Sequence, residues 1–219
     1  DGDDWLESDY IEYLLKLAVD TGSDMSMSKN IFTTRDRIQI KEDKIETWTA
    51  EEAAVQIIYP KIPIGPWNKL YKTSLIKVNH IDFNVPWSGE GHWFSCMAAQ
   101  CANHVGVGCR KVYNYRLNNA GSGLTNFKVV MGTNALWNTK NIGNKLVHPT
   151  KRLKAAVNYH IWSCCHFILM LIIATNSKNE HTKEYNECLI QSKVMLPSVI
   201  LHSEVTWKHK IKMILMTIF

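Results

Sequence analysis

The 219-residue sequence has neither an initiator methionine nor a signal peptide, so residue 1 is expected to be an internal point of a longer protein. No Asn-x-Ser/Thr sequon occurs, and the six cysteines, at 96, 101, 109, 164, 165 and 188, do not make the dense framework of a small secreted scaffold. Both absences point to a reducing cytoplasm. No internal repeat or low-complexity tract divides the chain into an array. Gly106-Val107-Gly108 lacks the third glycine of a dinucleotide-binding loop and falls in a strand pattern. Basic residues are dispersed, and no aromatic platform interleaved with arginines is visible, which argues against a dedicated nucleic-acid binder.

What is present is a composition of 46% hydrophobic and 21% charged residues, enough to bury a sizeable core in one large domain or one domain with an appendage. A formal charge of +5 and a pI near 8.8 suit a mild attraction to anions such as nucleotides or lipid headgroups.

The chain opens on DGDDWLESDYIEYLL, where Asp1, Asp3 and Asp4 crowd together before an apolar-periodic segment. Carboxylates this close repel one another unless water or a cation screens them. The cluster is therefore either a solvated helix start or a seat for a hard divalent ion. Ile11, Leu14, Leu15 and Ala18 recur at helical spacing and predict a helix over 9–21, capped by Ser8 and stopped by Gly22. Residues 24–31 alternate as a half-buried strand does, and 36–41 alternate again. Thr49-Ala50-Glu51-Glu52 is a capping box that opens a helix closed by Pro60.

Prolines at 60, 63 and 66 then deliver Trp67, Asn68 and Lys69 to a fixed place. A helix is predicted from Glu90 to about Asn103, followed by VGVGCRKVYNYRL as a strand or hairpin ending near Tyr115. Strands and helices thus interleave through residue 116, the pattern of an α/β layer structure. From Leu124 onward the signals are helical. The apolar stretch 161–175 would span only about 22 Å as a helix, short of a bilayer's hydrocarbon core, and reads as a buried helix. The final WKHKIKMILMTIF combines lysines with a large apolar face, suited to a membrane surface or to packing on the domain or a partner.

Four stretches in one order, DGDDWLESDYIEYLLKLAVDTGSD, GPWNKLYKTSLI, SGEGHWFSCMAA and VYNYRLNNAGSGLT, together resemble the inverting family-2 glycosyltransferases of bacterial polysaccharide synthesis. The resemblance covers residues 1–127. It implies a GT-A-like (Rossmann-like) nucleotide-sugar transferase fold that lacks its N-terminal half, with 128–219 as a helical C-terminal extension. The implied activity moves a sugar from a nucleotide-diphosphate donor, a UDP sugar, to a glycan or polysaccharide acceptor with inversion. The setting expected for such an enzyme is the cytoplasmic face of the membrane, where the basic, apolar tail would help it stay.

By the same resemblance Asp1 and Asp3 match the family's aspartate pair. Asp3 would face a Mn²⁺ or Mg²⁺ ion, and Asp1 the ribose or the ion's water shell. Such ions take hard oxygen ligands, commonly one or two carboxylates plus substrate phosphate. Asp4 would cap the following turn or orient a neighbour. Trp67, Asn68 and Lys69 resemble the acceptor-side element. Arg116 and the Ser122-to-Thr125 turn match a loop that closes over the diphosphate, a solvated surface arginine being the other reading.

The family's catalytic base is the aspartate of Gly-Glu-Asp, and here the sequence reads Gly89-Glu90-Gly91. Either Glu90 takes the proton-accepting duty, or this copy is impaired, or the base lies elsewhere. One residue turns a side chain about 100° around a helix, so Glu90 can serve only at a remodelled helix start. Two other classes compete. His92, Cys96, Cys101, His104 and Cys109 could hold zinc, although their apolar company suits buried free cysteines. The chain could also be an inactive remnant that acts as a binding module.

Overall fold

All four side chains of Met25–Ser28 are buried, although the alternation of apolar and polar residues predicts a half-buried strand. The cause lies in the neighbours. This strand, β2, has β6 (His104–Gly108) parallel on one side and β5 (Lys69–Tyr71) antiparallel on the other. Its serines are tolerated inside because both hydroxyls donate to backbone carbonyls, Ser26 to Leu14 at 2.6 Å and Ser28 to Arg110 at 2.5 Å. The edge strand β4 (Glu46–Thr49) completes a four-stranded sheet of order β4-β6-β2-β5.

The computed structural model describes residues 3–117 and 127–218 and divides into two units. One comprises Asp1–Phe83 and Gly91–Thr125, the other Asn84–Glu90 and Asn126–Phe219. In the first, α1 (Tyr10–Asp20) buries Tyr10, Leu14 and Leu17 and leaves Ile11 and Leu15 exposed. Asp9 rather than Ser8 precedes its first turn, and Gly22 supplies the left-handed stop at φ 61°. The Thr49 half of the capping box holds: Thr49 accepts from the Glu52 amide at 3.2 Å, and α2 (Ala50–Ile58) ends before Pro60. Helices α3 (Thr73–Val78) and α4 (Glu90–Cys101) follow.

Two expectations are corrected here. The stretch VGVGCRKVYNYRL is not a hairpin, because β6 and β7 (Tyr113–Tyr115) belong to different sheets. Strand β7 lies between β1 (Trp5–Leu6) and β3 (Phe32–Thr33) in a three-stranded sheet of order β1-β7-β3. The alternating segment 36–41 forms no strand. Instead the Gln39 side-chain amide stands in for one, accepting from the Lys111 amide and donating to the Lys111 carbonyl, both at 2.9 Å.

The second unit is helical, with α5 (Val129–Asn144), α6 (Lys151–Ala174), α7 (Thr182–His202) and α8 (Trp207–Ile218). The apolar stretch at 161–175 is the C-terminal part of α6, a 24-residue helix about 36 Å long. That helix is long and apolar enough to cross a membrane, but half of its most apolar window is buried. Cys165, Ile168, Leu169, Leu171 and Ile172 of α6 form a core with Val129 and Met131 of α5 and Cys188 of α7. Gly132 lets α5 approach closely, since a Cβ there would stand 2.6 Å from Ile168 Cγ1.

Helix α8 is fastened to α6 by hydrogen bonds between His209 Nε2 and the Tyr159 hydroxyl and between His166 Nε2 and the Thr217 hydroxyl, each 3.1 Å. Burial holds both imidazoles below the ordinary histidine value of 6.5, and Lys212 adds to the effect at His209. The unfolded chain therefore protonates first as pH falls, so these groups favour the folded state above pH 6.5 and lose that contribution on acidification. His209→Gln should accordingly show a smaller drop in urea midpoint between neutral and mildly acidic pH than the wild type, measured by circular dichroism.

Candidate functional site

Strand β1 pairs with β7 through Trp5↔Asn114 and Leu6↔Tyr113, a register that brings the preceding residue, Asp4, to the end of β7. The Asp4 carboxylate accepts from the Tyr113 hydroxyl at 2.7 Å and from the Arg116 backbone amide at 2.8 Å. A carboxylate acceptor makes these two of the stronger hydrogen bonds available to the chain. Burial raises the Tyr113 phenol, and the Asp4 bond and charge raise it further, so it stays a donor. Asp4 is thus the orienting member of the acidic cluster. Half-exposed Asp3 stands beside it, and its negative charge adds to the upward shift of both Tyr113 and Tyr115.

The proline-rich segment reaches the same strand. Pro66–Asn68 forms a 3-10 turn, and the half-buried Trp67 ring stacks on Tyr113 at 4.5 Å and on Tyr115 at 5.5 Å between centroids. The Tyr10 hydroxyl of α1 fastens the turn by donating to the Trp67 carbonyl at 2.7 Å. Asp4, Arg116 and Trp67, which lie far apart in sequence, therefore meet on β7.

The two residues after Trp67 turn the other way, and their expected substrate contacts are corrected. Asn68 is fully buried and donates to the Ser28 carbonyl at 2.6 Å. Lys69 is 3% exposed, and its ammonium donates to the Pro63 and Gly65 carbonyls and to Asn68 Oδ1, each at 2.6 Å. Burial pushes its pKa down to about 7. These side chains shape the loop that presents Trp67.

Arg116 is exposed, and its guanidinium lies over the Trp5 ring at 5.8 Å. Arg37 approaches the same ring at 5.5 Å and donates to the Asn114 side chain, whose own amide donates to Glu7 at 2.8 Å. Sequence reading missed Trp5, Arg37 and the part played by Tyr113 and Tyr115. The strand period of two was the available signal, because it sets Tyr113 and Tyr115 on one face and Asn114 on the other. Asp1 and Ser122 lie outside the described residues.

Glu90 heads α4 and is grouped with the 84–90 segment of the second unit. Its Oε2 is enclosed and accepts no hydrogen bond among the described residues. At Gly91, a Cβ would stand 3.0 Å from Pro66 Cδ, so the turn carrying Trp67 crowds the position where the resemblance expects an aspartate. His92 and Cys96 are buried in α4. Among the described residues no three His, Cys, Asp or Glu side chains gather as a metal centre.

No family model matches the sequence, and no curated protein matches it. Solved structures do. S. aureus TarS 1–349 in complex with UDP-GlcNAc is similar with a TM-score of 0.59 and 18% identity, over 91% of this chain and 56% of that one. S. aureus TarS 1–349 gives a TM-score of 0.58 and 19% identity over 91% and 54%, and a longer S. aureus TarS chain gives 0.56 and 17% over 91% and 33%. The chain has the mixed α/β, GT-A-like fold of these structures, followed by a helical C-terminal region, and spans about half the length of TarS 1–349.

The buried ammonium gives a direct test of the loop. Lys69→Met removes the donor for three enclosed acceptors and should destabilise the chain by about 2–4 kcal/mol, read from denaturant unfolding.

Proposed function

We propose that the protein is a family-2-like glycosyltransferase that moves a sugar from a nucleotide-diphosphate donor, a UDP sugar, to a glycan acceptor with inversion. The observation that carries this reading is the meeting of Asp4, Arg116 and Trp67 on β7, in a fold shared with a protein whose structure holds UDP-GlcNAc.

By the resemblance the metal-facing role belongs to Asp3, with Asp1 as its partner, while each Asp4 oxygen accepts a hydrogen bond and orients β7. Hard oxygen donors and a single strong carboxylate suit Mg²⁺ or Mn²⁺, which fill the rest of their shell with water and phosphate. Such an ion supplies charge neutralisation for the departing diphosphate. Arg116, whose backbone Asp4 holds in place, offers a permanent cation to phosphate oxygens, and by the resemblance Ser122 would add a hydroxyl. Trp67, held from behind by two tyrosine rings, offers an aromatic surface and edge to a sugar.

Inversion requires the acceptor hydroxyl to lose its proton as its oxygen bonds the anomeric carbon and the bond to the diphosphate breaks. Glu90 is the proposed proton acceptor, because its enclosed Oε2 keeps an unused lone pair. Gly91 in place of the family's aspartate favours a second reading, an inactive remnant that binds the nucleotide without turnover. We place the protein in the cytoplasm, where its six free cysteines suit a reducing compartment.

Calorimetry of UDP binding with and without Mn²⁺ tests the assignment. Binding should strengthen with Mn²⁺, and Asp3→Ala should weaken the Mn²⁺-dependent binding about tenfold or more, a loss of one strong ligand. Unchanged binding in Asp3→Ala rejects the metal role. UDP binding without sugar transfer by the complete protein selects the remnant.

A further inference from the structure

We propose that α8 docks the protein on anionic lipid bilayers, lying in the plane of the headgroups. The inference is independent of the sugar-transfer reading, since it rests on the second unit alone.

The helix has two distinct sides. One is committed to the protein: Met213 is fully buried, Thr217 nearly so, and the His209–Tyr159 and His166–Thr217 hydrogen bonds pin this side to α6. The other side carries Trp207, Ile211 and Leu215 in one line at four-residue spacing, exposed by 67%, 48% and 52%. Lys208, Lys212 and exposed Met216 form the adjacent line. Isolated exposed apolar residues are ordinary, but a continuous row on a rigidly held helix is the arrangement found at interaction surfaces.

Charge identifies the occupant. Between residues 207 and 218 the sequence has three lysines, Lys208, Lys210 and Lys212, and no acidic residue. The nearest carboxylate, Glu204, is engaged by the Arg152 guanidinium through two hydrogen bonds. A second copy docking face to face would set lysines against lysines, whereas an anionic headgroup layer complements them while the acyl boundary accepts the apolar row. Tryptophan at the end of the row suits the wet boundary of a bilayer, with an apolar body and a polar N–H. Twelve residues make a helix of about 18 Å, too short to cross the hydrocarbon core, so the helix lies on the surface.

The test uses the 219-residue chain and vesicles of phosphatidylcholine, alone or with about one-third phosphatidylglycerol, with binding read by co-sedimentation. Binding should require the anionic lipid and fall in high salt. Lys208→Gln with Lys212→Gln should weaken it about tenfold or more, at about fivefold per lysine. Ile211→Asn with Leu215→Asn should weaken it about tenfold or more by removing inserted apolar area. All four positions are exposed, and unchanged circular dichroism and thermal midpoints establish that the variants fold. Equal binding to neutral vesicles, no binding at all, variants that bind like the wild type, or self-association through this face without vesicle binding would each overturn the proposal.

Discussion

The Asp4 carboxylate, holding the Tyr113 hydroxyl and the Arg116 amide at once, is the contact on which the site depends. It fixes the edge of the three-stranded sheet to the end of β7. Through Tyr113 it also fixes the ring against which Trp67 stacks. Phenol, peptide and indole are thereby referred to a single anionic group. The neighbouring Asp3 and the guanidinium of Arg116 inherit their positions from it.

The same economy governs the proline-rich loop. Three carbonyl-type oxygens converge on an interior point, and the Lys69 ammonium is the side chain with three donors able to meet them. Asn68 bridges that knot to the central strand through Ser28. Trp67 is held in place because its two successors are anchored inside while its own half-buried ring stacks on Tyr113 and Tyr115.

Legibility in the sequence followed distance along the chain. The Thr49 cap, the Gly22 stop and the Pro60 boundary were readable because their causes lie within four residues. The ordered stretches of the resemblance led to the GT-A-like fold that the comparison with TarS shows. What could not be read depended on remote partners. The burial of Met25–Ser28 depends on strands at 69–71 and 104–108, and the Asp4–Tyr113 bond joins residues 109 positions apart. Segment 36–41 alternated convincingly yet lost its ladder to one glutamine side chain. Asn68 and Lys69 entered the expected site through the resemblance, whereas the structure commits both side chains to the oxygens of a tight loop and its neighbouring strand. The apolar run at 161–175 was read too short, since the basic first turn of α6 carried no apolar signal.

A Cβ at position 91 would press on Pro66, and this couples the two positions. A side chain at position 91 requires the proline of the turn that carries the tryptophan to give by a few tenths of an ångström. Substitution there is epistatic rather than a single-step gain or loss of a functional group. The backbone at the start of α4 and the proline-rich turn thus constrain each other's side chains.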